Sequence, residues 1–113
     1  MSWTRLYLPE ALEDLKRLDK AVRLDKAVRL DVLRCIERVS QNPGYPNGYG
    51  KPLGNRESGD LSGLYKIKLR KAGIRVVYKL RLEGEVMILL IVSAREDNAV
   101  YREASQRREK HQL

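Results

Sequence analysis

The alternation of apolar and cationic residues between positions 65 and 81 constrains this chain more than any other feature of its sequence. Two runs alternate with period two, residues 65–71 and residues 74–81, and Ala72 and Gly73 separate them. A period of two places successive side chains on opposite faces of a β-strand. A short connection that contains Gly joins antiparallel strands. We therefore predict a β-hairpin with one apolar and one cationic face.

The two faces of this hairpin differ sharply in chemistry. The apolar face would hold Tyr65, Ile67, Leu69, Ile74, Val76, Tyr78 and Leu80. The opposite face would collect six cations: Lys66, Lys68, Arg70, Arg75, Lys79 and Arg81. A tight turn would set Arg70 opposite Arg75 and Lys68 opposite Val77. Because neighbouring like charges destabilise a sheet, the cationic face indicates an anionic ligand such as phosphate.

Two amphipathic patterns predict a helical hairpin before these strands. Pro9 and Glu10 are typical of a helix start. Apolar residues then recur at three- and four-residue spacing in two sets, which are Leu12, Leu15, Leu18 and Val22, followed by Val28, Val32, Ile36 and Val39. The second helix should end at Asn42, Pro43 and Gly44.

A duplicated segment lies between the two sets. RLDKAV occurs at residues 17–22 and again at 23–28, and RLD follows at 29–31. Six residues turn a helix by roughly 600°, so repeated leucines would point to different faces of one continuous helix. We interpret the segment as a tandem duplication that lengthens the hairpin near its bend, because solenoid repeats are much longer.

The remaining segments complete an α+β domain that we expect to span residues 1–113. Residues 3–8 predict a first strand. Residues 86–92 are apolar without alternation, which is typical of a strand covered on both faces. The stretch 43–59 is rich in Gly, Pro, Asn and Tyr and predicts a long loop. We thus expect a mainly antiparallel four-stranded sheet with the helical hairpin packed on it.

A short C-terminal helix should follow over residues 97–108. Asp97 or Asn98 is suited to cap it. We expect the last residues, down to Leu113, to fray. His111, the one histidine, lies in this tail and is expected to be solvated.

Charge and composition limit the classes of partner and cofactor that we expect. The net charge is +8, and residues 61–82 hold seven basic residues and no acid, which favours a nucleic-acid partner.

Cys35 has no second cysteine for a disulfide and no neighbouring ligands for zinc, so we expect it in the core. No carboxylate or histidine cluster accompanies the cationic face, and we predict no metal or cofactor. No apolar run could span a bilayer, and we expect a cytoplasmic protein without a membrane partner.

The cationic strands and the residues after the last strand carry a family resemblance. The run YKIKLR at 65–70 is followed by Gly73, Arg75, Val77 and Tyr78, then by Arg95-Glu96 and Val100-Tyr101. This pattern resembles the RelE toxins of bacterial toxin–antitoxin pairs, and the order of the elements matches theirs over most of the chain. The duplicated RLDKAV segment and the Tyr- and Gly-rich loop depart from the family pattern.

The resemblance implies a ribosome-dependent endoribonuclease, or mRNA interferase, that forms a hetero-oligomeric complex with a cognate antitoxin. Such a toxin cleaves mRNA without metal by making the ribose 2′-hydroxyl attack the adjacent phosphate. By resemblance, Lys68 is the general base, Lys66 and Arg75 stabilise the phosphorane, Arg95 assists the leaving oxygen, and Tyr101 stacks on or orients a base. From the charge pattern, Arg70, Lys79 and Arg81 are expected to bind RNA around that centre.

Two other interpretations stay open. A ParE-type toxin would share the fold and inhibit DNA gyrase by binding, without catalysis. A degenerate relative would bind nucleic acid or its partner without toxicity. The joint presence of Lys66, Lys68, Arg75, Arg95 and Tyr101 favours the enzyme, because a binding module has no need of all five.

Overall fold

The computed structural model describes residues 2–21, 26–44, 47–56 and 59–113. The elements in chain order are β1 (Thr4–Tyr7), α1 (Pro9–Ala21), α2 (Lys26–Val39), β2 (Lys51–Pro52), β3 (Asn55–Arg56), β4 (Gly59–Asp60), β5 (Leu64–Leu69), β6 (Ile74–Arg81), β7 (Val86–Ser93) and α3 (Asp97–Lys110). This order confirms the predicted α+β class with its N-terminal strand, helical hairpin and C-terminal helix.

One mainly antiparallel sheet organises the fold. Its strands lie in the order β1-β7-β6-β5-β2, and β1 pairs in parallel with β7 while the other neighbours are antiparallel. The strands β3 and β4 form a separate antiparallel ribbon. The prediction of four strands missed β2, which lies in the stretch predicted to be a loop. Two residues are too few for an alternating pattern to show.

The core lies between the sheet and its helices. Every residue of β7 is buried, as expected for a strand covered on both faces. The helical hairpin contributes the buried residues Ala11, Leu15, Leu18, Val32, Ile36 and Val39. Leu12 was predicted to belong to this apolar stripe, but it is 48% exposed. Ala11 lies at the correct spacing from Leu8, Leu15 and Leu18 and occupies the stripe instead.

The duplicated segment falls at the bend of this hairpin. The first helix ends at Ala21 and the second begins at Lys26. Val22 and residues 23–25 lie outside the described residues, so the interpretation that the duplication lengthens the bend stays a prediction.

The hairpin of β5 and β6 has a different register from the one predicted. Lys68 lies opposite Arg75, and Lys66 lies opposite Val77. The strands end at Leu69 and begin again at Ile74, so four residues connect them rather than two. Gly73 ends this turn with φ +67°, a conformation that favours glycine. Because the register differs by two residues, the side chains within the two strands keep their predicted faces, whereas Arg70 lies in the turn and not opposite Arg75.

A buried ion pair fixes α3 against the rest of the fold. Arg107 Nη1 lies 2.6 Å from Asp14 Oδ2 and donates to the Leu90 carbonyl at 2.7 Å. The Asp14 carboxylate also accepts the Val92 N–H at 3.0 Å. Since the pairing of β1 with β7 runs from Val86 to Leu89, these contacts satisfy main-chain groups of β7 beyond the end of β1.

The prediction that the C-terminal residues fray is wrong, because contacts hold them in place. The helix continues to Lys110, and Leu113 N–H donates to the Arg108 carbonyl at 2.9 Å. His111 Nε2 lies 2.9 Å from a Glu10 carboxylate oxygen, so it is not the solvated residue we expected. The expected side-chain cap at Asp97 or Asn98 is also wrong, because the cap residue is Glu96 and it makes no side-chain cap bond.

Among the helices of the described residues, none is both long enough and apolar enough to cross a membrane.

Candidate functional site

Three of the predicted catalytic cations lie together on one face of the sheet. Lys66 and Lys68 are two residues apart on β5, and Lys68 is directly opposite Arg75 on β6. Side chains at such positions point to the same face. Tyr65 and Tyr78 stack on the opposite face with ring centroids 5.6 Å apart.

The carboxylate of Asp97 bridges two of these cations. Lys68 Nζ lies 3.1 Å from Asp97 Oδ2, and Arg75 Nε donates to Asp97 Oδ1. Partial burial alone would raise the pKa of Asp97, but hydrogen bonds from Lys68 and Arg75 and their positive charges hold that pKa below its usual value. The two cations thus converge on a single oxyanion, one oxygen each.

Arg75 also connects the strand to the segment before α3. Its Nη1 donates to the Arg95 carbonyl at 2.6 Å. The Arg95 side chain itself is 61% exposed and approaches Glu103 Oε2 at 3.4 Å. The structure therefore places the main chain of Arg95 beside Arg75 while its guanidinium extends into solvent.

Tyr101 occupies a different environment from the one its predicted role requires. It is 1% exposed, and Lys66 Nζ lies 5.7 Å from the centroid of its ring. Together with Val100 and Ala104 it forms the buried face of α3. In this arrangement its ring packs in the core and carries a cation–π contact to Lys66, and neither ring face is open to a base.

The three cations that were predicted to bind RNA around the catalytic centre are dispersed. Arg70 lies in the exposed turn after β5, and Arg81 is exposed at the far end of β6. Lys79 Nζ donates to the main-chain oxygen of Leu113, which partly buries it. The helix α3 lies across part of the face that the sequence predicted to be open.

Sequence reasoning missed three residues at this site. Asp97 was predicted only as a helix cap, although it follows directly on Arg95 and Glu96. Lys51 lies directly opposite Lys66 in the β2–β5 ladder. Tyr49 lies in a cleft of about 220 Å³ together with Lys51, Lys66, Ile67, Lys68 and Arg70. The GYGK run at 48–51 was a possible signal, since it brings an aromatic ring next to a cation.

The described part of the chain contains no group of three or more His, Cys, Asp or Glu side chains arranged to hold a metal ion. The cations of the site carry ammonium and guanidinium groups. Such groups bind and stabilise phosphate oxygens, and guanidinium does so through a fixed fork of donors.

Comparisons of the sequence with known proteins gave two matches to toxins. A family model described as the ParE toxin of the type II toxin–antitoxin system parDE matches residues 6–98. An Escherichia coli protein described as a putative RelE-like toxin is 33% identical over 101 residues, which are 87% of this chain and 88% of that protein.

Solved structures show the same architecture. A mutant of the Escherichia coli toxin RelE in the free state is 27% identical with a TM-score of 0.65, over 95% of this chain and 98% of its own. The same mutant in complex with a peptide of the antitoxin RelB is 26% identical with a TM-score of 0.52, over 92% of this chain and 95% of its own.

Proposed function

This chain belongs to the RelE/ParE family of toxins of type II toxin–antitoxin systems, and we propose that it is an endoribonuclease that cleaves mRNA on the ribosome. A metal-independent cleavage needs groups that neutralise the phosphate, a base for the attacking hydroxyl and an acid for the leaving oxygen. The cationic face of the sheet, together with Arg95 after β7, offers side chains for these tasks.

The observation that carries this proposal is the convergence of Lys68 and Arg75 on the carboxylate of Asp97. A carboxylate and a phosphodiester both present two oxygens that share a negative charge. A site in which an ammonium and a guanidinium each contact one oxygen can therefore accept the non-bridging oxygens of a phosphate. In the proposed complex, RNA displaces Asp97 from these two side chains.

The proposed reaction is an internal transfer of the phosphoryl group. The ribose 2′-oxygen attacks the adjacent phosphorus, and the bond from phosphorus to the 5′-oxygen breaks. The products are a 2′,3′-cyclic phosphate and a 5′-hydroxyl. Lys68 takes the proton of the 2′-hydroxyl only after it has left Asp97 and released its own proton to solvent, because a base must be unprotonated and within hydrogen-bond reach of the proton that it accepts.

The other site residues have supporting roles in this proposal. Arg75 and Lys66 stabilise the pentacoordinate phosphate, whose negative charge exceeds that of the ground state. Arg95 stabilises the negative charge that develops on the leaving 5′-oxygen, which its exposed guanidinium can approach from the end of β7, and solvent supplies the proton of the 5′-hydroxyl. Tyr101 orients Lys66 through the cation–π contact. Arg70, Lys79 and Arg81 provide attraction to the RNA backbone, with Lys79 weakened by its bond to Leu113.

The antitoxin partner of a relative supports a toxin–antitoxin role for this chain. A solved RelE structure contains a peptide of the antitoxin RelB. We propose that this chain is likewise neutralised by a cognate antitoxin in a hetero-oligomeric complex, and that the ribosome positions the message for cleavage.

Single-turnover cleavage of mRNA on programmed ribosomes tests the proposed role of Arg75. Arg75→Ala removes a donor to the transition state, a loss of roughly 2.7 to 4 kcal/mol, so cleavage should slow by about 100- to 1,000-fold. Ribosome affinity should fall much less, because the other cations remain. Arg75→Lys should restore only part of the rate, since an ammonium lacks the forked geometry.

Arg81→Ala is the matched control, because it removes a cation from the same strand without touching Asp97. It should weaken binding slightly and leave the cleavage step unchanged. If Arg75→Ala cleaves at the wild-type rate, or loses binding and cleavage in equal proportion, the catalytic assignment is wrong.

The match to the ParE family model supports a second candidate, a toxin that inhibits DNA gyrase by binding. On this hypothesis the bridge from Lys68 to Arg75 through Asp97 is a structural contact. A supercoiling assay with purified gyrase separates the two candidates, since only the second predicts inhibition and only the first predicts cleaved mRNA.

A further inference from the structure

Tyr49 is an exposed aromatic residue on a firmly held segment. Its side chain is 53% exposed. Its main-chain N–H donates to the Asn42 carbonyl at 2.8 Å, and Asn42 Nδ2 donates to the Asn47 carbonyl at 3.1 Å. The segment is therefore anchored to the residues just after α2, and the ring of Tyr49 lies outside the core.

The glycines on either side of Tyr49 tighten this anchoring. A Cβ at Gly50 would overlap the Tyr78 hydroxyl, and a Cβ at Gly48 would overlap main-chain atoms of Gly44. The Tyr78 hydroxyl itself donates to the Pro43 carbonyl at 2.6 Å. The segment thus packs closely through its backbone and presents the Tyr49 ring outwards.

Tyr49 lies in a cleft that also contains cations of the proposed active site. Tyr49 lines the same cleft as Lys51, Lys66, Lys68 and Arg70. Lys51 is exposed and lies directly opposite Lys66 on the neighbouring strand. An exposed ring next to several cations is the combination that binds unpaired nucleotides, because the ring stacks on the base and the cations contact the phosphates.

We propose that Tyr49 and Lys51 form a nucleotide subsite beside the scissile phosphate, in which Tyr49 stacks on an unpaired base and Lys51 contacts the phosphate attached to it. This inference rests on the proposed function for its substrate, single-stranded mRNA. Tyr101 cannot supply the platform in this structure because it is 1% exposed. Tyr49 is a large exposed aromatic residue of the cleft, and it takes the base-stacking role that the family resemblance implied for Tyr101.

The test uses ribosomes programmed with an mRNA that cannot be cleaved. A 2′-O-methyl group at the scissile ribose blocks the attack, and 2-aminopurine replaces in turn each nucleotide near the scissile phosphate. Stacking on an aromatic ring quenches 2-aminopurine fluorescence. Wild-type protein and Tyr49→Phe should quench one position, whereas Tyr49→Ala should not, and Tyr49→Ala should bind about 5- to 150-fold more weakly, the range for loss of one base–aromatic stack.

Two control variants separate stacking from general surface effects. Leu82→Ala removes an exposed apolar side chain at a distance from the cleft, and Lys16→Ala removes an exposed cation from α1. Both should behave as wild type. Lys51→Ala should weaken binding and lower its salt dependence while quenching persists at saturation, because a phosphate contact is lost and the stack is kept.

Several results would overturn this subsite. Quenching by Tyr49→Ala at the wild-type level would show that the ring is not the platform, and so would the absence of quenching at every position with wild-type protein. Weaker antitoxin binding by Tyr49→Ala with unchanged RNA binding would identify a protein interface instead. Quenching without cleavage of unmodified mRNA would contradict the proposed function alone, and cleavage without quenching would contradict the subsite alone.

Discussion

Two clusters in this molecule combine a carboxylate with basic side chains, and they differ mainly in burial. Asp14 and Arg107 are each 8% exposed and join α1, α3 and the main chain of β7. Asp97 is 41% exposed and bridges Lys68 and Arg75 at the surface of the sheet. The residue types are similar, but the second cluster is much more exposed to water than the first.

This difference decides what each cluster can do. A buried charge without its partner is costly, so the first cluster has to stay closed for the fold to persist. An exposed ion pair contributes little to stability, because water and salt compensate for its loss. The second cluster can therefore open and exchange its carboxylate for a phosphate, whereas the first cannot exchange anything.

Asp14→Ala should produce the largest change in stability. It leaves the Arg107 guanidinium buried and without its main partner, which should lower the free energy of unfolding by about 3–5 kcal/mol. Urea denaturation measures this loss. Asp31→Ala, which removes an exposed acid from α2, should change stability little.

A double variant sharpens this prediction. Replacing the pair together, as Asp14→Leu with Arg107→Met, should recover much of the lost stability, because no unpaired charge remains. If Asp14→Ala alone were as stable as the wild type, the contrast between the two clusters would disappear.

Asp97→Asn should lower the free energy of unfolding less than Asp14→Ala does, and it should tighten RNA binding. The free energy of unfolding should fall by less than about 1 kcal/mol, as for other exposed pairs. RNA binding should tighten at low salt, because Lys68 and Arg75 no longer have to leave a carboxylate. The plot of log affinity against log salt should steepen by roughly 0.7 for each additional phosphate of a single strand that the protein neutralises.

Glu83→Gln controls for the change in net charge, since it neutralises an exposed acid in the turn between β6 and β7. Binding that tightens equally in both variants would mean that overall charge is responsible. Weaker binding by Asp97→Asn would mean that the carboxylate positions Arg75 for RNA and does not compete with it.

The smallest expected effect concerns Glu10, which contacts His111 and Lys110 at 2.9 and 3.0 Å. The hydrogen bond with His111 is the largest cause that lowers the pKa of Glu10 to about 2. A lowered pKa means that Glu10 stabilises the fold above pH 4.5 and that this contribution is lost as the pH falls toward 2.

Melting temperatures measured from pH 6 to about pH 2 test this expectation. Glu10→Gln should be slightly less stable than wild type at pH 6, and the difference should vanish at the acid end. A difference that stays constant over the whole range would show that the contact does not depend on the ionisation of Glu10.

The local patterns of the sequence were sufficient for the main elements and for the two faces of the hairpin. Alternation with period two placed Lys66, Lys68 and Arg75 on one face, and this assignment survived an error in register because the register differed by an even number of residues. The continuous apolar run of β7 likewise predicted burial on both faces. These properties depend on neighbouring residues only.

The contacts that distinguish the two clusters depend on residues far apart in the chain. Asp14 and Arg107 are 93 positions apart, and Lys68 and Asp97 are 29 apart. No periodicity links such residues, because their distance is set by how α3 packs across the sheet. The same packing buries Tyr101, while Tyr49 stays exposed. The sequence by itself therefore determined that Lys66, Lys68 and Arg75 share a face, and the tertiary structure decided which cations meet a carboxylate and which ring stays open to a ligand.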